Sequence, residues 1–322
     1  MDPLLSIEPA KPMVFAGVYP FNPGQLKELG VAIEKLCVND NSVSYIKESS
    51  VALGQGWRLG FLGVLHMEVF TQRLEQEFNA QVIVTAPSVP YKIRLKNIDG
   101  SKKLKGQEHL VSNPSEWVDK SHAANYEEPM VMGTIISPAE YLSNILELCH
   151  ERRGEQRSIE NIDQTRLNIQ FLFPLNEIVT NFFDELKSVT SGYASFDYEE
   201  AGYQISDLHK MDVLLNGQLI HELSTISHAS KLRTRAKMVV FKLKNELPRQ
   251  QFSISIQAAV NGKILARDDL KALRKDVTAK CYGGDIGRKM KLLKNQAEGK
   301  KRMKKFGNIE ISKDTFIKIL TK

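Results

Sequence analysis

One order of elements is written twice along this chain, and that repetition restricts its folding more than any other feature. Met13–Val18 is an apolar run that reads as a strand. Pro23 sits where a first helical turn tolerates proline, and Leu26, Leu29, Ile33 and Leu36 then recur on one helical face. Ser42–Glu48 and Val51–Arg58 read as short strands. A second helix is expected from about Gly60 to Phe78, with an apolar stripe of Leu62, Leu65, Val69 and Phe70. Gln81–Thr85 reads as a strand ended by Pro87 and Pro90, and Tyr91–Leu95 as an added edge strand.

The plan returns at Met130–Ile136, a strand, with Pro138 opening a helix that buries Tyr141, Leu142, Ile145, Leu146 and Cys149. Strands at Gln156–Ile162 and Arg166–Phe173 follow. After Pro174 comes a helix with a clear period: Leu175, Ile178, Val179, Phe182, Phe183, Leu186 and Val189. Tyr193–Tyr198 alternates as a strand does. Met211–Leu215 is another strand, closed by the hairpin signal Asn216-Gly217. A β-α-β-β-α-β order closes by laying two helices on one antiparallel sheet. The expected fold class is therefore α+β, with two ferredoxin-like split βαβ sandwiches followed by a basic α+β C-terminal domain.

The expected domains are 11–95, 128–228 and 229–322, with a polar, Gly- and Lys-rich connector loop at 96–127. In the last domain Lys237–Lys242 and Gln251–Gln257 look strand-like, and Ala266–Ala279 reads as a helix with Asp268 near its start and Lys275 near its end. Tyr282-Gly283-Gly284-Asp285 is a turn. Gly287–Lys305 is a basic helix that Gly299 interrupts. The charge-free stretches are short, 13 residues at Gln250–Gly262 and 15 at Pro12–Leu26. A bilayer span needs about 20, so no transmembrane helix is expected.

Charge is divided unevenly. Residues 231–322 hold 25 Lys/Arg against 8 Asp/Glu, whereas residues 1–230 hold 19 against 30. Such a basic segment points to a polyanionic partner, and nucleic acid is favoured over a merely solubilising tail. The 287–305 helix could be a solvated face, a membrane-surface helix or an RNA-binding arm. Its only large apolar residues are Met290, Leu292, Leu293 and Met303, with no Trp, which suits phosphate better than lipid. Arg152-Arg153-Gly154 closes a helix and has two readings, favourable charge at a helix C-terminus or a phosphate clamp.

Chemistry is harder to find. Gly54-Gln-Gly56-Trp-Arg-Leu-Gly60 misses the dinucleotide-loop spacing and reads as a turn between strand and helix. His66-Met-Glu68 lacks the Pro-Cys-x-x-Cys that a zinc deaminase needs. No GxxxxGK[ST] loop or GxSxG elbow occurs, and no two histidines stand at i, i+4. Cys37, Cys149 and Cys281 are odd in number and far apart, as in a reducing compartment. The expectation is no catalytic residue, no metal and no cofactor in this chain.

Several segments resemble the LepA family of translational GTPases, also called elongation factor 4. Lys11-Pro-Met-Val-Phe-Ala-Gly17, Gly56-Trp-Arg-Leu-Gly-Phe-Leu-Gly-Val-Leu-His-Met-Glu68 and Thr85-Ala-Pro-Ser-Val-Pro-Tyr91 resemble its third domain. Phe173-Pro-Leu-Asn-Glu-Ile-Val179 and Ser191-Gly-Tyr-Ala-Ser-Phe-Asp-Tyr-Glu199 are similar to its elongation-factor-G-type domain five. Leu247-Pro-Arg-Gln-Gln-Phe252, Ala279-Lys-Cys-Tyr-Gly-Gly-Asp-Ile286 and Glu298-Gly-Lys-Lys-Arg302 are similar to its C-terminal domain. The wording is closer to the mitochondrial branch than to the bacterial one. Family members begin with a GTP-binding domain and a β-barrel that do not appear here, so the chain reads as a C-terminal portion: a truncated gene model, a fragment or a shortened product.

The resemblance implies a ribosome-binding factor acting in GTP-dependent back-translocation or rescue of stalled ribosomes. GTP and magnesium belong to the full-length family. Its partners would be rRNA at the factor-binding region and the acceptor arm of an A-site tRNA. Its place would be the mitochondrial matrix, with peripheral association with the inner membrane, and its state a monomer. By residue type and family position, the RNA contacts expected are Arg249, Lys280, Gly283, Gly284, Arg288, Lys289, Lys291, Lys294, Lys300, Lys301 and Arg302, with Arg152 and Arg153 as further ribosome contacts. The competing reading is an autonomous RNA-binding or ribosome-assembly module without GTPase activity.

Overall fold

The structure, a computed structural model, describes residues 11–50, 53–96, 108–179, 181–279, 281 and 286–306. The chain divides into two compact units, one ending at Asp207 and the other beginning at Leu208.

The first unit opens with β1 (Val14–Pro20), α1 (Leu26–Asn39), β2 (Ser44–Ser50), β3 (Gly54–Phe61), α2 (Val64–Phe78) and β4 (Val82–Val84). The strands lie in the order β2-β3-β1-β4, every pair antiparallel, which is the split βαβ arrangement the element order demands. Pro23 starts a single 3-10 turn that feeds α1. Leu29, Ala32, Ile33 and Leu36 of α1 then pack against Trp57, Leu59 and Phe61 of β3 and Met67, Phe70 and Leu74 of α2. Each large side chain fully buried in this layer stabilises it by roughly 1.5–3 kcal/mol.

Helix α2 starts later than its sequence suggests, because Gly60 and Phe61 still pair with Phe15 and Val14. Its inward face is Met67, Phe70 and Leu74, so of the expected stripe Phe70 is buried while Leu65, 74% exposed, and Val69, 46% exposed, turn outward. The glycines of the Gly54–Gly60 run are strand residues and not a loop. A Cβ on Gly56 would lie 2.6 Å from the Val18 carbonyl oxygen, and one on Gly60 would lie 2.8 Å from the Phe15 ring. Close strand packing is what requires Gly56 and Gly60, whereas Gly54 is set by its φ of 83°.

The second sandwich contains β5 (Tyr91–Leu95), β6 (Glu108–Val111), β7 (Ala123–Pro138), α3 (Leu142–Glu151), β8 (Glu155–Asn161), β9 (Arg166–Pro174), α4 (Leu175–Ile178), α5 (Phe182–Val189) and β10 (Ser195–Ile205). Its sheet runs β6-β5-β7-β9-β8, with β10 also paired to β7. Strands β10, β7, β9 and β8, together with α3, α4 and α5, repeat the first plan. Tyr91–Leu95 belongs to this sheet, between β6 and β7, and not to the edge of the first. Part of the expected connector is also ordered as strand: β6 and the start of β7, the latter held to β5 by Arg94–Glu127 at 2.7 Å. The expected helix after Pro174 is broken into α4 and α5, and Phe183 turns outward. Arg58 donates to Glu48 of its own sheet at 3.1 Å and to the Ser112 carbonyl at 3.3 Å. Ser88 Oγ donates to the same carbonyl at 2.7 Å.

The second unit contains β11 (Leu208–Leu215), β12 (Gln218–His228), α6 (Leu232–Glu246), β13 (Ile254–Val260), β14 (Lys263–Leu270) and α7 (Ile286–Phe306). Its antiparallel sheet runs β12-β11-β13-β14. Two Asn-Gly turns shape it, Asn216-Gly217 at φ 51° and 85° and Asn261-Gly262 at φ 49° and 76°. Positive φ at both positions is the hairpin geometry that matches strand twist.

Three expectations are corrected here. Lys237–Lys242 lies inside α6, whose buried face Leu232, Ala236, Val240 and Leu243 is helical in spacing. Ala266–Ala279 is not a helix: the Asn261-Gly262 turn folds Lys263–Leu270 back on β13, and Asp268 accepts from Lys244 of α6 at 2.8 Å. Helix α7 runs through Gly299 without interruption. The Tyr282–Asp285 turn lies outside the described residues. Among the described residues no helix is long and apolar enough to cross a membrane.

Candidate nucleic-acid interface

Helix α7 carries the densest positive charge of the chain. An α-helix advances about 100° per residue. Its partly covered residues, Lys289, Leu292, Gln296, Gly299 and Lys300, fall at i, i+3, i+7, i+10 and i+11 and therefore form one stripe. That stripe is fastened: Gln296 Nε2 donates to the Lys275 carbonyl at 2.8 Å, and Lys300 Nζ donates to the Leu273 carbonyl. Lys291, Lys294, Lys301 and Arg302 occupy the opposite arc, exposed to water, and Arg288 is exposed beside them. Burying an ammonium without a partner is costly, so an apolar stripe this thin leaves the cations outside.

Segment 271–279 joins the same surface. Its Leu273 N–H donates to the Gln250 carbonyl at 2.8 Å, next to exposed Arg249. Asp276 folds the segment by accepting from the Thr278 hydroxyl at 2.9 Å and its N–H at 3.0 Å, and these bonds hold its carboxyl below the usual range. Lys271, Arg274 and Lys275 are exposed along it. The structure thus brings Arg249, the 271–275 cations and α7 onto one connected surface. Sequence reasoning misses the 271–275 cations because the segment reads as a helix. The sign of its charge is the signal that could have found them. Lys280, Gly283 and Gly284 lie outside the described residues.

Arg152 and Arg153 stand in the first unit. α3 ends by placing Arg153 at φ 59°, and the Gly154 N–H closes the turn on the Cys149 carbonyl at 2.8 Å. Arg153 makes a two-pronged pair with Glu128 at 2.5 and 3.1 Å, and the Glu128 side chain is only 4% exposed. Arg152 pairs with Glu185. Both guanidiniums are engaged by carboxylates of their own unit.

His66 is a fastening between helices. Its Nδ1 accepts from the Leu62 N–H at 3.3 Å, which leaves Nε2 to donate to Asp40 Oδ2 at 2.7 Å. Burial, and after it the Asp40 charge, push the neighbouring Cys37 thiol up to about 11. A thiol held protonated is not an activated nucleophile. Among the described residues no group of three or more His, Cys, Asp or Glu could hold a metal ion.

Residues 215–321 match the family described as GTP-binding protein LepA C-terminus, and residues 125–214 match elongation factor G C-terminus. Translation factor GUF1, mitochondrial, of Homo sapiens is 56% identical over 320 residues, 99% of this chain and 48% of that protein. The GUF1 homolog of Arabidopsis thaliana is 52% identical over 321 residues, covering 99% and 47%. Translation factor waclaw, mitochondrial, of Drosophila melanogaster is 50% identical over 315 residues, covering 98% and 45%. The chain spans about half the length of the curated relatives it matches.

Proposed function

The chain belongs to the LepA family, and from that premise we propose that it is the ribosome- and tRNA-contacting portion of a translation factor serving mitochondrial protein synthesis. The observation that carries this reading is the connected cationic surface of α7, segment 271–279 and Arg249. Lysines on a helix that is itself tied down present a fixed array of charge. Neutralising RNA phosphates on such an array releases condensed counterions, and the array recognises backbone shape and not base identity. Arg152 and Arg153 would reach phosphate only by exchanging the carboxylates they now hold.

In this reading the rRNA of the factor-binding region and the acceptor arm of an A-site tRNA are the ligands. The setting is the mitochondrial matrix, with inner-membrane association peripheral. Back-translocation or rescue of stalled ribosomes would be the activity of the whole factor. GTP and magnesium serve the family's GTP-binding domain, and no step of GTP chemistry is assigned to this chain's own residues.

The test is co-sedimentation with mitochondrial ribosomes across a salt series. It compares the chain with a variant in which Lys291, Lys294, Lys301 and Arg302 are replaced by Gln. The chain should pellet at low salt and release steeply as salt rises. The variant's salt slope should be shallower by roughly 0.7–0.9 for each phosphate that it no longer neutralises. A chain that stays in the supernatant at low salt, or a variant indistinguishable from it, would overturn the proposal. Equal affinity for ribosomes and for unstructured RNA would favour the autonomous RNA-binding module instead.

A further inference from the structure

The second unit has another surface that the phosphate array does not use. A groove of about 430 Å³ lies between α6 and β14, lined by Lys237, Met238, Val240, Phe241, Ala266, Arg267 and Asp268. Met238 and Phe241 stand one helical turn apart, and each is 65% exposed. Single exposed apolar side chains need no explanation, but an exposed ring one turn from an exposed thioether in a shallow, open groove is a ready contact surface. Two cations border it, Lys237 and Arg267, the latter in a long, exposed pair with Asp269 at 3.4 Å that a phosphate would have to displace. The groove's acidic member, Asp268, is already neutralised by Lys244 at 2.8 Å.

A flat apolar floor between cations is the arrangement that holds an unpaired nucleotide, with the base stacked on the ring and the phosphate against the charges. An apolar peptide would use the floor but not the cations, and a duplex would use the cations but not the floor. We propose that the α6–β14 groove binds one unpaired nucleotide of a single-stranded RNA segment. Phe241 is the stacking platform, and Lys237 and Arg267 are the phosphate contacts. This rests on the reading of the second unit as RNA-facing, and adds recognition of strandedness to one that otherwise senses phosphate alone.

The experiment measures fluorescence anisotropy of two labelled probes, an oligouridylate and a blunt RNA duplex of equal nucleotide count. Each is titrated with the full chain, with Phe241→Leu and with Phe241→Trp. Phe241→Leu should weaken the oligouridylate about 5- to 150-fold, the range expected for removing one base–aromatic stack. It should leave the duplex and both salt slopes unchanged, and Phe241→Trp should retain single-strand binding. Both variants sit at an exposed position, and unchanged thermal melting confirms their fold. If the chain binds both probes but Phe241→Leu alters neither, the groove proposal fails while the phosphate reading stands. If neither probe binds at low salt, the RNA-facing reading fails with it. If Phe241→Leu weakens both probes equally, the ring does not sense strandedness and the proposal is overturned.

Discussion

Arg153 holds a backbone conformation that side-chain-bearing residues avoid, and its guanidinium answers for it. The positive φ ends α3, and the fork on Glu128 fixes the side chain that results. Truncating it strands a buried carboxylate, so Arg153→Ala should destabilise the first unit by about 3 kcal/mol. Arg152→Ala, whose Glu185 partner is 42% exposed and can be rehydrated, should cost no more than about 1 kcal/mol. Urea unfolding at neutral pH separates the two, and equal effects would contradict the difference in burial. Asp40 makes a pH-dependent contribution. Burial pushes its carboxyl up, but hydrogen bonds from Ser42 and His66 outweigh that and hold it below the ordinary value. A carboxyl that ionises more easily in the folded chain stabilises it above an unfolded pKa of about 3.9, and this is lost as pH falls through the folded value. Asp40→Asn should therefore flatten the acid limb of a plot of Tm against pH. An acid limb identical to that of the parent chain would count against the clasp.

At the scale of elements, α7 is held by a stripe so narrow that its own propensity matters. Gly299 lies mid-helix, and a Cβ there would meet nothing within 4 Å. Gly299→Ala should stabilise the helix by about 0.5–1 kcal/mol, seen as slower amide exchange over its C-terminal turns. Exchange that stays equally fast would mean that α7 is held by its fastening alone. The helices of both sandwiches are legible because their apolar residues repeat at helical spacing over several turns. Two elements of the second unit are not, and for definite reasons. In α6 the run Met238-Val239-Val240-Phe241 imitates a strand over four residues, and only the wider spacing of Leu232, Ala236, Val240 and Leu243 reveals the helix. In β14 the charges Arg267, Asp268 and Asp269 hide a strand at the sheet edge, where one partner suffices and water takes the rest. The Asn261-Gly262 turn, of the same kind as Asn216-Gly217, carries the missing information.

At the scale of the whole molecule, sheet membership changes between Asp207 and Leu208, while the family matches meet at 214/215 and the charge changes sign near 231. β11 and β12 carry little of the positive charge, yet Met211, Val213, Leu215, Leu223 and Ile226 complete the core behind β13. A fragment of residues 208–322 should therefore unfold cooperatively in urea, whereas one of residues 229–322 should not, since it leaves β13 without its central partner. A cooperative transition in the shorter fragment would move the boundary to the charge change. The cationic surface is legible as composition, since 25 basic residues in 231–322 cannot be hidden, but its assembly is not. The bond of Lys300 to Leu273 and that of Leu273 to Gln250 join residues far apart in the chain. In the first unit β7 has a mechanical meaning of its own. Sixteen residues long and hydrogen-bonded to β5, β9 and β10, it would resist a pull along its axis by shearing three ladders at once and not by peeling one bond at a time. Under tension it is the spar of that unit, and the shorter strands around it are where the unit would yield.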